Sequence, residues 1–242
     1  MSGAAGTLAG ARQSAPNTPD RQQVNLPVGV AIVATSRPLG LAGAMASVWA
    51  QSRLLASEIV VVVHDEDEET AQLAAEAGAQ VVRRPTHDRR GPTRMAVEAV
   101  EQPWVAVLEP QDQWLPHHLA VLWELREGRS FVSSSCVRHG RQAVRSKLRG
   151  ALRGGLQDLQ SPADLLRPGP APIRTASTVM FSRKALLESG FDASLGRAAH
   201  LDLWLRLLER GSGLVTRDET VDCRAPGRVG QKNMPRMVRS RG

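Results

Sequence analysis

The chain has no tyrosine and three phenylalanines among its 242 residues, and aromatics make up only 3%. Binders of single-stranded nucleic acid stack bases on aromatic side chains, so this composition offers few such platforms. Cysteine is equally scarce. Cys136 and Cys223 cannot build a disulfide framework, and no Cys-x-x-Cys pair or Cys/His cluster marks structural zinc. The longest strongly apolar stretch, residues 26–34, is too short to span a bilayer. The N-terminus also lacks the charged start and long apolar run of a secretory signal. The expectation is a soluble, cytoplasmic protein, long enough to bury a core without staples.

The formal net charge of +7 is unevenly spread. Residues 224–242 hold six Lys/Arg and no acid; without those six, 25 basic residues face 24 acidic ones. A second stretch, residues 138–153, also holds six Lys/Arg and no acid. An acidic run over residues 65–69 helps to offset it. Bulk charge therefore argues poorly for nucleic acid as a partner. The two basic segments could still touch an anionic membrane surface, and the internal one could hold an anionic acceptor or be a solvated face.

Residues 1–25 are rich in Gly, Ala, Ser, Pro and Gln and carry almost no large apolar side chains, a composition expected to be disordered. The basic tail, 225–242, is read the same way. The folded part is expected over 26–224, with a first half at 26–128 and a second at 129–224. In the first half apolar runs alternate with helical patterns. Strands are predicted at 28–33, 59–63, 81–82 and 104–108, and helices at 41–51, 69–77 and 93–100. A further helix is predicted to open at Leu115-Pro116 and run to about 127. This β-α-β-α-β-α-β order predicts a doubly wound parallel sheet, with ligands at the carboxyl ends of the strands. The second half is less regular: strands at 131–137 and 178–181, a serine-capped helix from Ser182, and an amphipathic helix over 198–210 closed by Gly211.

Four loops could carry chemistry. In Ala34-Thr-Ser-Arg-Pro38, Thr35 and Ser36 could bond a ligand and Arg37 a phosphate; a helix cap and a surface arginine explain the same residues. In His64-Asp-Glu-Asp-Glu-Glu-Thr70, Asp65 could accept hydrogen bonds from a base or ribose, while the other acids suit a helix N-terminus. Leu108-Glu-Pro-Gln-Asp-Gln-Trp-Leu-Pro116 sets two carboxylates, Glu109 and Asp112, at a strand end. Mg²⁺ and Mn²⁺ commonly use one or two carboxylates with substrate phosphates, although turn chemistry also favours Pro and Asp. In Ala198-Ala-His-Leu-Asp-Leu-Trp-Leu-Arg206, His200 titrates near neutral pH and could act as a base, or it could be structural. Asp202 could cap and Trp204 could pack. The neighbouring pair His117-His118 faces two directions on a helix, which disfavours a metal site there.

Together these segments resemble the family 2 glycosyltransferases of GT-A fold. The family's strand-end Thr-x-Asn-Arg-like loop is matched by Ala34-Thr-Ser-Arg37, and its Glu-Ile-Val-Val-Val-Asp-Asp loosely by Glu58-Ile-Val-Val-Val-Val-His-Asp65. Leu-Asp-x-Asp-Asp-x-Trp-x-Pro is matched by Leu108 to Pro116. A later Ser-Thr-Val-x-Phe…Gly-Phe-Asp segment is matched by Ser177-Thr-Val-Met-Phe181 through Gly190-Phe-Asp192. Glu-Asp-x-Asp-Leu-Trp-Leu-Arg is matched by Ala199-His-Leu-Asp-Leu-Trp-Leu-Arg206. The resemblance implies an α/β fold of GT-A type: a Rossmann-like, mostly parallel sheet flanked by helices, with a smaller mixed acceptor-side region. It also implies transfer from a nucleoside-diphosphate sugar, a UDP-sugar above all, to a glycan, lipid or protein acceptor with inversion. Thr35, Arg37, Asp65, Arg94 and Gln111 would then lie by the donor, and Asp112 with Glu109 would hold a divalent cation, Mn²⁺ or Mg²⁺. Two departures stand out: the family's Asp-x-Asp-Asp acids appear as Glu109, Gln111 and Asp112, so one carboxylate is lost, and Ala199-His200 replaces the Glu-Asp pair that supplies the base. His200, or Asp202, is then the candidate base. The alternative is a degenerate domain that binds nucleotide, sugar or a partner without turnover.

Overall fold

The computed structural model describes residues 24–35, 40–52, 54–88, 91–138, 155–168 and 171–223. The basic stretch after Arg138, the tail, and the segment before Val24 lie outside the described residues. Strand β1 (Val24–Ala34) starts two residues ahead of the expected folded part. It is followed by α1 (Leu41–Trp49), β2 (Leu54–His64), α2 (Glu68–Glu76), β3 (Gln80–Arg84), α3 (Pro92–Ala99) and β4 (Trp104–Leu108). Then come β5 (Gln113–Trp114), α4 (His118–Leu125), β6 (Phe131–Arg138), β7 (Leu156–Leu159) and α5 (Pro162–Leu166). After these come β8 (Val179–Ser182), α6 (Arg183–Ser189), α7 (Ala199–Arg210) and β9 (Gly213–Cys223).

All nine strands join one sheet in the order β3-β2-β1-β4-β8-β6-β9-β5, with β7 also paired to β9. β1, β2, β3 and β4 are parallel, β8 runs against β4 and β6, and β9 runs parallel to β6. Strands β1 to β4 are thus all parallel and the rest of the sheet is mixed, with β5 and β7 running against β9.

The continuous valine runs follow from two-sided burial. Val30, Ile32, Val61 and Val63 face one core, which α1, α2 and α4 cover with Leu41, Met45, Ala71, Ala74, Leu119 and Leu122. Ala31, Val60 and Val62 face the other, covered by α3 and α7 with Met95, Val97, Leu203, Trp204 and Leu207. Successive strand residues alternate between faces, so covering both faces removes the polar half of the pattern. Each such valine contributes roughly 1.5–3 kcal/mol by leaving water. The acidic run opens α2: the Asp67 side chain accepts from Thr70 N–H at 3.0 Å, and Glu68 and Glu69 occupy the positive first turn.

One predicted boundary moves. Helix α4 starts at His118 rather than at Leu115-Pro116. The Leu115 N–H donates to Thr220 O at 2.8 Å, which prolongs the β5–β9 pairing and holds the chain extended there. Pro116 then occupies the turn, and Gln51 from the end of α1 supplies the missing cap by accepting from Leu119 N–H at 3.0 Å.

Candidate functional site

Strand order reverses at β1: β2 and β3 follow on one side and β4 lies on the other. In open α/β sheets the crevice at such a switch point, at the carboxyl ends of the strands, is where ligands bind. Leu108, the last residue of β4, pairs with Ile32 of β1, and Ala34 pairs with Val63 of β2. The chain therefore brings Thr35, Asp65 and the 109–112 turn to one edge of the sheet.

The turn is tightly built. Asp112 is only 2% exposed. Its Oδ2 accepts from Ser177 Oγ at 2.7 Å and from Thr175 Oγ1 at 3.4 Å, and its N–H donates to Glu109 O at 3.0 Å. Gln111 Nε2 donates to Glu109 Oε2 at 2.6 Å. Burial, and then the nearby charge of Asp112, push the Glu109 carboxyl above its ordinary range; hydrogen bonds from Thr175 and Gln111 pull the other way. The turn also lies against the start of α1. A Cβ on Gly40 would sit 2.4 Å from Pro110 O, and one on Gly43 would sit 2.3 Å from Gln113 Nε2. Glycine at those two positions lets the start of α1 lie close against the acidic turn.

The remaining candidates are distributed as follows. Thr35 is half-buried at the end of β1, and Arg37 lies outside the described residues. Asp65 is exposed, with its N–H donating to Arg84 O at 3.0 Å, which ties the ends of β2 and β3. Arg94 is on the exposed face of α3, its Nε 2.7 Å from Glu98 Oε1 four residues on. His200 stands in the first turn of α7, between the Phe191 ring at 5.7 Å and the Trp204 ring at 6.1 Å. Trp204 packs on Phe131 and Phe181, which fixes the helix and with it the imidazole. Burial lowers the His200 pKa and keeps the ring neutral; its buried Nε2 has no hydrogen-bond partner among the described residues. Asp202 Oδ2 instead pairs with Arg206 Nε at 2.9 Å.

His118 faces the core, its Nδ1 2.7 Å from Thr220 Oγ1 and its ring stacked on Trp114 at 4.4 Å. Ser177 and Thr175 hold Asp112; the sequence marks Ser177 only as the start of the family-like segment, with no role, and does not mark Thr175, since serine and threonine before a strand are too common to signal this contact. Among the described residues no three His, Cys, Asp or Glu side chains converge on one point. Glu109 and Asp112 still form an oxygen-only pair whose mutual repulsion raises one of them. That donor set fits a hard divalent cation that takes its other ligands from phosphate and water. An open cavity of about 680 Å³ lies at the opposite edge of the sheet, lined by Trp104, Ser130 and Ser212 at the amino ends of strands. It plays no part in this site.

The family model for glycosyl transferase family 2 matches residues 29–190. No curated protein matches by sequence. Among solved structures, glucosyl-3-phosphoglycerate synthase from Mycobacterium tuberculosis, complexed with Mn²⁺, UDP and phosphoglyceric acid, is similar: TM-score 0.57, 18% identity, 82% of this chain and 70% of that one covered. The mannosyltransferase PcManGT from Pyrobaculum calidifontis, complexed with GDP-Man and Mn²⁺, gives TM-score 0.59 and 17% identity, covering 84% and 58%. TarS from S. aureus, complexed with UDP-GlcNAc, gives 0.57 and 14%, covering 81% and 58%. At these identities the likeness shows the fold. The chain spans 58–70% of the length of these three neighbours.

Proposed function

The chain belongs to glycosyl transferase family 2, and we propose that it transfers a sugar from a nucleoside-diphosphate sugar, with UDP the first choice, to an acceptor hydroxyl with inversion. The observation that carries this reading is the Glu109–Gln111–Asp112 turn, braced at the carboxyl end of β4 beside the ends of β1 and β2. Structural neighbours crystallised with UDP, UDP-GlcNAc or GDP-Man support the donor class. Asp112 and Glu109 would hold a divalent cation, Mn²⁺ or Mg²⁺; bound there, it would offset the charge that develops on the leaving diphosphate. Thr35, Asp65 and Gln111 would bond the nucleoside, and Arg37 and Arg94 are the donor cations that the family pattern supplies.

His200 is the better candidate base, because it is neutral and Asp202 is engaged with Arg206. His200 would take the acceptor hydroxyl proton as that oxygen attacks the anomeric carbon. The bond from that carbon to the diphosphate oxygen breaks on the opposite face, which inverts the centre. The histidine then returns its proton to solvent. No helix among the described residues is long and apolar enough to cross a membrane. The reading assigns the activity to the cytoplasm, with the basic segments available to an anionic surface. The acceptor is a glycan, lipid or protein hydroxyl.

One observation favours the second reading, a degenerate domain that binds without turnover: Ala199 and His200 occupy the positions of the family's acid pair. Calorimetric titration with UDP and GDP, with Mn²⁺ and with chelator, on wild type and Asp112→Ala, separates the two. Binding that needs both metal and Asp112, followed by donor hydrolysis that His200→Ala abolishes, supports the transferase. Nucleotide binding without hydrolysis supports the degenerate domain, and no binding rejects the donor site.

A further inference from the structure

The acidic turn is gripped by a segment far away in the chain. Thr175 leads into a short 3-10 turn, Ala176–Thr178, which runs directly into β8. Ser177 is fully buried. Its Oγ accepts from Glu109 N–H at 3.0 Å and donates to Asp112 Oδ2 at 2.7 Å, so one hydroxyl ties both ends of the turn together. Thr175 Oγ1 adds a longer contact to the same oxygen at 3.4 Å and accepts from Ser177 N–H at 3.3 Å. The next residues are held by the same segment: Trp114 Nε1–H donates to Ser177 O at 2.9 Å. The 3-10 turn is braced in its own right, with Thr178 Oγ1 donating to Thr175 O at 2.8 Å and lying 3.1 Å from Ser133 Oγ on β6.

We propose that Ser177, seconded by Thr175, is the positioning residue of the acidic turn: it fixes Asp112 Oδ2 so that the carboxylate has one orientation toward the donor cleft. A hydrogen bond to an ionised carboxylate is stronger than one between neutral groups. Loss of a group that orients a metal-ligating carboxylate typically costs about 10- to 100-fold in metal affinity. This inference rests on the reading of the turn as the donor site.

The test uses the full chain and three variants: Ser177→Ala, Thr175→Val and Thr175→Ser. Calorimetry reads UDP affinity with Mn²⁺, and backbone amide exchange reads the mobility of residues 108–115. Ser177→Ala is expected to weaken Mn²⁺-dependent UDP binding about tenfold to a hundredfold and to speed exchange in 108–115 while β4 and β8 keep their protection. Thr175→Val is expected to lose less, in keeping with its longer contact, and Thr175→Ser to return to wild type. Wild-type affinity in Ser177→Ala overturns the proposal, as does faster exchange spread over β4 and β8. If the wild type takes up neither Mn²⁺ nor UDP, the transferase reading falls and exchange alone decides the clamp. Faster exchange confined to 108–115 in Ser177→Ala then supports it, and unchanged exchange overturns it.

Discussion

His118 makes stability a function of acidity in a way that can be isolated. The ring is fully buried, stacked on Trp114, and its Nε2 has no hydrogen-bond partner among the described residues. Thr220 donates its hydroxyl hydrogen to Ser134 Oγ at 2.6 Å, so it accepts from His118, and Nδ1 carries the proton. Burial, and then the charge of neighbouring His117, lower the His118 pKa from 6.5 to about 3. The unfolded chain therefore binds a proton near pH 6.5 while the folded chain refuses it until about pH 3. Stability is complete above the unfolded value and is lost as pH falls between the two. One pH unit is worth about 1.4 kcal/mol, so this group costs about 1 kcal/mol at pH 5.5 and about 3 kcal/mol at pH 4. Against a typical domain stability of about 5–15 kcal/mol, that is a sizeable share.

Urea unfolding of wild type and His118→Gln at pH 7, 5.5 and 4, followed by tryptophan fluorescence, reads the difference directly. Glutamine does not titrate in this range and keeps a donor for Thr220, and every other ionisable group is common to both proteins. The wild type should lose about 3 kcal/mol more than the variant between pH 7 and pH 4. Parallel losses in the two proteins would refute the argument, because a histidine that accepts its proton in the folded state carries no such linkage.

Three further outcomes are expected. Gly40→Ala drives a methyl to 2.4 Å from Pro110 O and 2.9 Å from Gln111 Cα, backbone atoms that cannot swing aside. Unfolding should show a loss of roughly 1–3 kcal/mol, and calorimetry a weaker UDP affinity; unchanged values in both would mean the start of α1 and the acidic turn are not in close contact. Arg94→Ala removes an exposed i,i+4 pair with Glu98 and should change stability by no more than about 0.5 kcal/mol; a tenfold fall in UDP affinity would instead give Arg94 its donor role. Because burial lowers the His200 pKa, the neutral base persists below the ordinary histidine value. Initial rates of donor hydrolysis should stay level as pH drops to about 6.5 and fall only below it, and His200→Ala should lose roughly 10²–10⁴ in rate. A rate already falling between pH 8 and pH 7 would exclude His200 as the lowered-pKa base.

The parts of this fold that were legible in the sequence are those where one local signal decides. Residues 59–63 are apolar at every position because two cores cover β2. Gly78 takes φ 81° just beyond α2, a conformation that ends a helix at little cost for glycine alone. Ser182 caps α6 through its side chain, which accepts from Ala185 N–H at 3.4 Å. Strand β9 was not read because Thr216, Arg217, Asp218 and Glu219 interrupt its apolar pattern. They fall where the pairing with β6 slips, between Ser133↔Val215 and Ser135↔Glu219. A bulge spends residues without pairing them, so the period-2 signal is lost although the strand continues.

The site divides along the same line. Glu109 and Asp112 were legible because carboxylates three positions apart beside a tryptophan form a local pattern. What makes them a site is not local: Gly40 and Ser177 reach the turn from two distant parts of the chain, through a close approach and a clamp, and Ser133 braces the 3-10 turn that carries Ser177. A glycine in a helix start and a serine ahead of a strand have ordinary explanations in any single sequence. Their meaning depends on the partner, and the sheet order supplies it by setting β8 beside β4. That adjacency carries Ser177 to Asp112 across 65 residues of chain. The altered residues of the family pattern are therefore best judged by what holds them. Asp112 keeps a fixed place despite the loss of an acid next to it, and His200 is held neutral between two rings where the family has a carboxylate. On the proposed transferase reading, a neutral base would carry no charge to stabilise a cationic sugar, so more of the work would fall to the acidic turn and to the Ser177 hydroxyl that holds it.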